Sequence, residues 1–484
     1  MKDIRSFHQE YDVIVIGAGL AGLTCGTALA KMGKKVKIIE QHSTPGGCIS
    51  YFKRDGFTFD VGLHFTSECE EGGGIHSVLM ALDLLDEIQF HKVDPLYKVV
   101  LPGESYIVPG SLDEYIKMLS QKFSSKEKGI VKLFDTMKTI YEDAKRLPTL
   151  SPTISKYMDK TFQQLLDEHI GDSKLKTIIS ANWALIGSPP SRTSAIAMSG
   201  FMTSFFSQGG FYPRGGTVSL VNGLVKGLQR YGGELQLGTM VKKILVEDGK
   251  AIGVETKDGE RVKADYVVSN ADARETFLKL IGERELKPDF IQMLNRMELN
   301  LSCFGVYLGV DMDLKAMGIA THEIMIHSSL DFDEEFEAVL KGDVGSCMLV
   351  TIPTLTDPSI APDKKHILIF LAYAPYHLEG KDWKEEKARV TEKLINKVEE
   401  VIPNLSKHIV VKESATPLTI ERITLNSEGS IIGWAPTPES LNRPQPKSPI
   451  EKLYLAGHWT VPGGGTVCVI PSGWMTANMI MEEG

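Results

Sequence analysis

Cysteine is scarce in this sequence, and its spacing is as informative as its number. The chain of 484 residues has six cysteines, none in a Cys-x-x-Cys pair or at zinc-finger spacing to a histidine. A disulfide framework is unusual in a chain of this length, and structural zinc sites need closely spaced ligands. We therefore expect reduced thiols, no metal site, and a protein of the cytoplasm.

Long hydrophobic runs are also missing. No stretch of about 18 apolar residues occurs, which argues against a membrane-spanning helix, and residues 1–10 are too polar for a signal peptide. The 62 acidic residues outnumber the 53 basic ones, giving a net charge of −9, so nucleic acid is not an expected partner. Gly-x-Ser-x-Gly, His-Glu-x-x-His and P-loop patterns are absent, so hydrolase and NTPase chemistry have no support.

Glycine is plentiful, and its most informative cluster lies near the N-terminus. An apolar strand is predicted over residues 12–16, and the motif Gly17-x-Gly19-x-x-Gly22 follows it without a gap. A helix over 20–32 and a second strand over 36–39 complete a β-α-β unit, which ends at Glu40. This context, a strand before the motif and a helix after it, is typical of a dinucleotide-binding turn.

Each glycine of the motif has a physical role in that turn. Gly17 permits the sharp bend, Gly19 lets a pyrophosphate approach the backbone, and Gly22 lets the helix pack closely on the strand. The helix N-terminus then offers unpaired N–H groups and a positive dipole to the phosphates. We expect the Glu40 carboxylate to accept hydrogen bonds from a ribose.

Three further features favour FAD over NAD as the dinucleotide. The motif lies close to the N-terminus, Pro45-Gly46-Gly47 follows Glu40, and a second glycine-rich strand–loop–helix lies near residue 457. That second segment contains Gly457-His458-Trp459 and a glycine run at 463–465. Because FAD is long, its adenosine end can bind one segment while its flavin ring reaches the other.

The rest of the chain is predicted to alternate between sheet and helix. A hairpin is expected over 51–59, with Asp55-Gly56 as its turn, and a three-stranded meander over 241–268. Residues 76–205 show mainly helical spacing, interrupted by a short extended piece between Pro102 and Pro109. The remaining predicted elements are strands at 301–310, 346–352, 367–373 and 452–456, and helices at 384–401 and from Ser472.

Several segments resemble one superfamily of flavoproteins, the phytoene desaturases, carotenoid isomerases and retinol saturases. The similarity is carried by residues 15–47, by Arg54 to Gly62 and by Tyr212-Pro213-Arg214-Gly215-Gly216. His64-Phe65 and Glu70-Glu71-Gly72 are most similar to retinol saturases, and residues 416–422 and 462–473 to carotenoid isomerases. One position departs from the pattern, since many relatives have Gly-Asp where this chain has Gly457-His458.

The resemblance implies non-covalent FAD and a long apolar substrate with carbon–carbon double bonds. Saturation, desaturation and cis–trans isomerisation of a carotenoid- or retinoid-like substrate are the reactions it implies. A second interpretation is an amine oxidase-like flavoprotein, and a third is a lipid-binding protein in which FAD has no catalytic role. Since no second Gly-x-Gly-x-x-Gly follows a strand, we expect that the flavin is reduced by a separate donor, reoxidised by a membrane acceptor, or cycled without net redox change. A hydrophobic substrate also implies reversible membrane contact, on the inner face of the membrane.

The predicted fold class is α/β, with a discontinuous Rossmann-type FAD-binding domain and an inserted α+β substrate or cap domain. Residues 1–75, 211–275 and 416–484 are assigned to the FAD domain, and 76–210 and 276–415 to the cap. Two residues are catalytic candidates. His64 either donates a proton near the flavin ring or is a hydrogen-bonded spacer, and Arg214 either faces the cofactor or forms a structural ion pair. The predicted FAD contacts are Gly17, Gly19, Leu20, Ala21, Gly22, Glu40, Gly46, Gly47, Gly62, Val241, Gly457, His458, Gly464 and Gly465.

Overall fold

The computed structural model describes residues 7, 9–62, 64–145 and 151–483. Its strands are β1 (Gln9–Ile16), β2 (Val36–Ile39), β3 (Tyr51–Arg54), β4 (Phe57–Asp60), β5 (Phe90–Val93), β6 (Tyr97–Leu101), β7 (Glu104–Val108), β8 (Gly210–Pro213), β9 (Glu234–Gln236), β10 (Val241–Glu247), β11 (Lys250–Thr256), β12 (Arg261–Ser269), β13 (Ser302–Val310), β14 (Glu323–His327), β15 (Cys347–Thr351), β16 (His366–Ala374), β17 (Ile409–Ala415) and β18 (Leu453–Leu455).

The helices of the described residues connect and cover these strands. They are α1 (Leu20–Lys31), α2 (Gly74–Ala81), α3 (Leu112–Lys122), α4 (Glu127–Ala144), α5 (Pro152–Tyr157), α6 (Phe162–His169), α7 (Ser173–Ser180), α8 (Ala195–Gln208), α9 (Thr217–Arg230), α10 (Pro288–Arg296), α11 (Phe332–Leu340), α12 (Trp383–Glu399), α13 (Pro417–Thr424) and α14 (Thr466–Glu483). Within these ranges, none of the helices combines the length and the apolar character needed to cross a bilayer.

The first sheet is built around the predicted β-α-β unit. Its strand order is β10-β11-β12-β1-β2-β9, and β18 pairs with the last part of β12. Strands β9, β2, β1, β12 and β18 are parallel to their neighbours, whereas β10 and β11 form the predicted antiparallel meander with β12. Parallel strands place their carboxyl ends at one edge, so the loops after β1, β2 and β12 meet there.

The N-terminal unit has nearly the predicted bounds. Strand β1 begins three residues before the predicted start at Asp12, and α1 ends at Lys31, one residue before the predicted end. Gly33 then adopts a positive φ of 89°, as expected for a glycine after a helix end. Valine and isoleucine fill β1 and β2 because both faces of these strands are buried.

The second sheet has the order β17-β13-β16-β15-β14-β6-β7, with β14 and β6 parallel and the other neighbours antiparallel. The strands predicted at 301–310, 346–352 and 367–373 are its central members. Successive side chains point to opposite faces, so Val350 and Phe370 pack on the α12 side while Leu349 and Leu371 face the other way. That second face forms one wall of the site described below.

The helical prediction for residues 76–205 is wrong over one stretch. The predicted extended piece is β7, but β5 and β6 precede it and were not predicted. In β6 every second residue is buried, and Pro102-Gly103 forms the turn to β7 with Gly103 at φ 80°. A short amphipathic strand of this kind fits a helical pattern almost as well as a strand pattern, which explains the error.

Candidate functional site

The turn between β1 and α1 is closed by contacts that only glycine permits. The Gly17 N–H donates to the Ile39 carbonyl at 2.8 Å, and Gly17 has a φ of 94°. A Cβ atom on Gly22 would lie 2.2 Å from the Gly17 carbonyl oxygen, far inside van der Waals contact. The turn therefore leaves the first N–H groups of α1 facing outward, where an anion can bind.

Asn270 joins this turn to the C-terminal part of the chain. Its amide oxygen accepts from the Gly19 N–H at 3.3 Å, and its amide nitrogen donates to the Ala456 carbonyl at 3.1 Å. A Cβ atom on Gly19 would lie 2.7 Å from the amide, and one on Gly457 would lie 2.6 Å from it. The sequence analysis missed Asn270, and the available signal was its position immediately after β12, at the carboxyl edge of the sheet.

Glu40 ends β2 and is buried beside the turn. One carboxylate oxygen accepts from the Ala18 N–H at 2.8 Å and the other from the His42 N–H at 2.9 Å. A carboxylate has about four acceptor positions, so these two bonds leave capacity for the hydroxyl groups of a ribose. Glu40 thus holds the glycine turn in place, and it also lines a cavity beside the turn.

The loop after β2 folds back over the glycine turn. The Gly46 N–H donates to the Ala18 carbonyl at 2.9 Å, and a Cβ atom on Gly47 would lie 3.3 Å from the Gly19 Cα. Both glycines have positive φ values, 128° for Gly46 and 58° for Gly47. Two glycine loops therefore pack backbone against backbone, and together they narrow one end of the cavity.

A first cavity lies along these loops. The predicted FAD contacts that line it are Gly17, Gly19, Leu20, Ala21, Glu40, Gly46, Gly47, Val241, Gly457 and His458. The sequence analysis missed the other segments that contribute to its wall, which are Thr239-Met240, Asn270-Ala271, and residues 423–426 after α13. The N-terminal turn and the C-terminal strand therefore meet at one cavity, as the FAD interpretation requires.

The remaining predicted contacts lie around this cavity without lining it. Gly22 packs beneath the turn, and Gly62 lines a second, adjacent cavity. A Cβ atom on Gly464 would lie 2.7 Å from the Ile432 carbonyl oxygen, and Gly465 directly precedes α14. Helix α14 begins at Thr466, before the predicted start at Ser472, so Pro471 lies inside the helix.

His458 presents a polar atom without a partner at the first cavity. Its Nε2 is buried and has no hydrogen-bond partner among the described residues. Burial, together with the nearby Arg443 cation, lowers the pKa of His458 to about 4, so the ring is neutral at physiological pH. Burial also lowers the pKa of Arg443 to about 10. A neutral ring with an unsatisfied nitrogen fits a polar group of a bound dinucleotide, although the superfamily pattern has aspartate here.

The second cavity is mainly apolar and adjoins the first. The two share the wall residues Gly47, Cys48, Ile423 and Thr424. The apolar side chains that line the second cavity come from the second sheet, from α13 and the loop after it, and from the segment after α7; they include Leu349, Leu371, Ile420, Ile431, Ile432 and Leu185. A ligand in the first cavity therefore has an apolar chamber at one end.

Most polar groups in the second cavity are already bonded. The Tyr307 hydroxyl donates to the Val61 carbonyl at 3.3 Å, and the Tyr373 hydroxyl donates to the Ala184 carbonyl at 2.9 Å. Burial raises the pKa of both tyrosines above their ordinary range, and it raises the pKa of the Cys48 thiol to about 11. These three groups therefore stay protonated near neutral pH.

His64 is the sole imidazole or carboxyl group among the described residues that line this cavity. Its Nδ1 contacts the Thr351 hydroxyl and lies 3.3 Å from Oε2 of Glu323, whereas its Nε2 has no partner among the described residues. Arg214 lies elsewhere. It is exposed, its Nη1 donates to the Gln89 side chain at 3.3 Å, and it lines neither cavity, so this geometry gives no support to a catalytic role.

A cavity along the glycine turn beside an apolar chamber, together with the family match that follows, identifies the protein as an FAD-dependent oxidoreductase. The chain belongs to the flavin containing amine oxidoreductase family, whose model matches residues 20–481. The α/β fold class and the FAD cofactor predicted from sequence are thereby confirmed.

Curated relatives cover nearly the whole chain. Prolycopene isomerase of Daucus carota is 28% identical over 516 residues, covering 98% of this chain and 80% of the relative. Phytoene desaturase (lycopene-forming) of Pseudescherichia vulneris is 27% identical over 502 residues, covering 97% and 99%. All-trans-retinol 13,14-reductase of Danio rerio is 24% identical over 506 residues, covering 93% and 82%. The resemblance inferred from the motifs is confirmed.

Solved structures share the fold at lower identity. An oxidoreductase from Methanosarcina mazei has a TM-score of 0.70 and 20% identity, covering 98% of this chain and 100% of that one. Putrescine oxidase bound to putrescine has a TM-score of 0.68 and 16% identity, covering 98% and 99%. At these identities the likeness establishes the architecture and leaves the substrate to be argued from the site.

Proposed function

We propose that the protein acts on a carbon–carbon double bond of a long apolar polyene or isoprenoid, with FAD as the redox cofactor. The single observation that carries this proposal is that the two cavities are adjacent and share the wall residues Gly47, Cys48, Ile423 and Thr424. A chamber walled by leucine and isoleucine binds hydrocarbon by removing apolar surface from water. The three relatives named above carry the names of an isomerase, a desaturase and a reductase of such chains.

Bound FAD supplies hydride transfer, and the residues of this chain supply position and environment. The apolar wall holds the hydrocarbon and excludes water from the reacting carbons. His64 holds a nitrogen, Nε2, that can carry a proton into the same chamber. Reduction needs a proton donor at the carbon beside the one that receives hydride, and desaturation needs a base at that place.

The amine oxidase-like alternative has less support from the site. An amine substrate is a cation near neutral pH and is bound best by a carboxylate or by a cage of aromatic rings. None of the described residues lining the second cavity carries a carboxyl group. Two tyrosines, Tyr307 and Tyr373, do line it, but their hydroxyl groups are bonded to backbone carbonyls. Because the family model is named for amine oxidoreductases, simple amines are tested beside the polyenes as the competing substrate class.

The test is a product assay with the purified holoenzyme. The enzyme is incubated without oxygen with reduced or oxidised FAD and a panel of retinoids and carotenes, and products are separated by mass and isomer. A gain of two hydrogens identifies a saturase, a loss identifies a desaturase, and an unchanged mass with altered retention identifies an isomerase. Peroxide release from simple amines in a parallel incubation with oxygen, with no change in any polyene, would reject the proposal.

A matched pair of variants ties turnover to the chamber. Ile431→Phe adds a ring inside the second cavity and is expected to lower turnover of long polyenes at least tenfold while FAD remains bound. Ile291→Phe, on α10 and outside both cavities, makes the same change elsewhere and serves as the control. Equal turnover by the two variants would show that the chamber is not the substrate site.

We further propose a separate electron donor or acceptor, because the sequence offers one dinucleotide-binding motif. Reversible contact with a membrane surface, through which an apolar substrate could enter, is proposed on the same chemical ground. The described residues include large exposed apolar side chains, among them Met80, Ile107 and Leu330.

A further inference from the structure

A carboxylate is buried behind the chamber, on the second sheet. Glu323 begins β14 and lies directly opposite Thr351 at the end of β15. Its side chain has no exposed surface; one oxygen, Oε2, accepts from the Thr351 hydroxyl at 2.8 Å, and the other has no partner among the described residues. A buried carboxylate is costly to maintain, so its position calls for a function or a compensating partner.

The partner is His64, which reaches the pair from the loop after β4. Its Nδ1 contacts the Thr351 hydroxyl and lies 3.3 Å from Oε2 of Glu323. The His64 carbonyl accepts from Nε2 of the buried His322, 2.8 Å away, which fixes the backbone at this point. The contacts at Nδ1 fix the ring with Nδ1 toward the second sheet, and the hydrogen bond from His322 fixes the backbone that carries it.

A second buried histidine–glutamate pair shows what a purely structural arrangement looks like here. In His327 both ring nitrogens are bonded, Nδ1 to Glu335 at 2.7 Å and Nε2 to the Ala181 carbonyl at 2.8 Å. Glu335 also accepts from the Ser328 N–H at 2.6 Å, and the pair lines neither cavity. His64 differs in the one respect that matters for chemistry, because its Nε2 is unpartnered and borders the chamber.

The hydrogen-bond directions determine which nitrogen of His64 is reactive. Because the Thr351 hydroxyl donates to Glu323, its oxygen lone pair accepts from the N–H at Nδ1 of His64. In the neutral ring, Nε2 therefore has a free lone pair; in the imidazolium, Nε2 bears a proton directed away from the sheet. A carboxylate that holds an imidazole in one tautomer and stabilises its charged form is an established arrangement for moving protons.

We propose that Glu323 and Thr351 are positioning residues that hold His64 so that Nε2 exchanges a proton with the substrate. This inference rests on the proposed function. In the reductive direction reduced FAD, when bound, would supply a hydride to one carbon of the double bond, and the neighbouring carbon would take the proton from Nε2. The π bond would break, two C–H bonds would form, the substrate would be reduced at the expense of the flavin, and His64 would be left neutral until it takes a proton from solvent. Desaturation is the same exchange reversed.

Turnover by five holoenzyme variants tests the positioning. His64→Gln, Glu323→Gln and Thr351→Val are expected to lower kcat by about 10²-fold or more, with KM and FAD content unchanged. Thr351→Ser keeps the hydroxyl and is expected to retain most of the activity. Glu335→Gln alters the other buried pair and is expected to keep the wild-type kcat. Wild-type kcat in Thr351→Val, or an equal loss in Glu335→Gln, overturns the proposal.

A second measurement does not depend on turnover. Nitrogen-15 NMR of histidine-labelled holoenzyme, with the His64 signals assigned by their absence in His64→Gln, reports which nitrogen is protonated in the neutral ring. We expect Nδ1–H in the wild type and a larger Nε2–H fraction in Thr351→Val. An Nε2–H wild type overturns the positioning. If the expected tautomers are found but no polyene is turned over, the proposed function and the proton transfer are rejected, and only the positioning of His64 is supported.

Discussion

His458 lies where the first cavity meets the C-terminal loop, and its charge state decides what it can bind. Its ring is 5.2 Å from that of Trp459 and near the buried Arg443. Burial and this cation lower the pKa of His458 to about 4, so a neutral ring replaces the anionic aspartate of the superfamily pattern. A neutral ring does not repel a phosphate or the electron-rich edge of a flavin. An ionised aspartate at the same position would repel both, because it carries a negative charge.

The lowered pKa of His458 also predicts how stability depends on pH. The unfolded chain binds this proton with a pKa of about 6.5 and the folded protein with one of about 4, so between these values the unfolded state holds more protons. The free energy of unfolding should therefore fall by up to about 3 kcal/mol as pH decreases through that window. His458→Gln removes this contribution, as measured by urea unfolding of FAD-free protein at pH 7.5 and 4.5. An unchanged pH dependence in the variant would contradict the prediction.

Single residues differed in how far their position could be predicted from sequence. The structure places Glu40 at the cavity because a carboxylate at the end of the second strand of a β-α-β unit has one location available. Asn270 and Glu323 had no comparable pattern, since each acquires its partners only when distant segments meet. The exposed location of Arg214 could not be predicted either, because the sequence Pro-Arg-Gly-Gly does not determine the direction of the arginine side chain.

At the scale of elements, helices α1 and α8 respond in opposite ways to the same substitution. Gly22→Ala in α1 brings a methyl group to 2.2 Å from the Gly17 carbonyl, whereas Gly200 in α8 has open space around it. Gly22→Ala is expected to destabilise the protein by about 2–3 kcal/mol and to weaken FAD binding at least tenfold. Gly200→Ala should stabilise it by about 0.5–1 kcal/mol by restricting the unfolded chain.

Urea midpoints and flavin fluorescence titrations measure both effects in that glycine pair. The prediction fails if Gly22→Ala binds FAD as tightly as the wild type, or if Gly200→Ala destabilises the protein. The comparison separates glycines that are needed for close approach from those that are merely tolerated.

Elements were predictable where hydrophobic pattern and turn residues agreed. The β-α-β unit, the hairpin at Asp55-Gly56 and the meander with its Asp-Gly turns are present within a few residues of their expected bounds. Six strands among the described residues were not predicted: β5, β6, β8, β9, β14 and β17. All but β17 are three to five residues long, and each of the six pairs with at least one strand remote in sequence. Helix α14 begins at Thr466, directly after the glycine run 463–465, and therefore before Pro471.

At the scale of the whole molecule, FAD should tie the two ends of the chain together. A ligand at 100 times its dissociation constant adds about 2.7 kcal/mol to the free energy of unfolding. Asn270→Leu removes the amide that joins Gly19 to Ala456, and we expect about tenfold weaker FAD binding, which is about 1.4 kcal/mol less stabilisation at the same FAD concentration. Thermal unfolding at several FAD concentrations measures this.

Asn295→Leu, at an exposed position on α10, is the control for that substitution and should leave the FAD dependence unchanged. A full FAD response in Asn270→Leu would show that the two chain ends are held together by other contacts. The domain boundaries predicted from sequence remain a prediction, because two sheets that share one site do not by themselves mark where independent units begin.

The pairing of β18 with β12 has a consequence for biosynthesis. The strand that completes the edge of the first sheet is separated from β1 by nearly the entire polypeptide, and the second sheet is encoded between them. A ribosome therefore releases the glycine turn and the second sheet long before it delivers Gly457 and His458. Until those two residues emerge, the nascent chain has no complete pocket for the flavin.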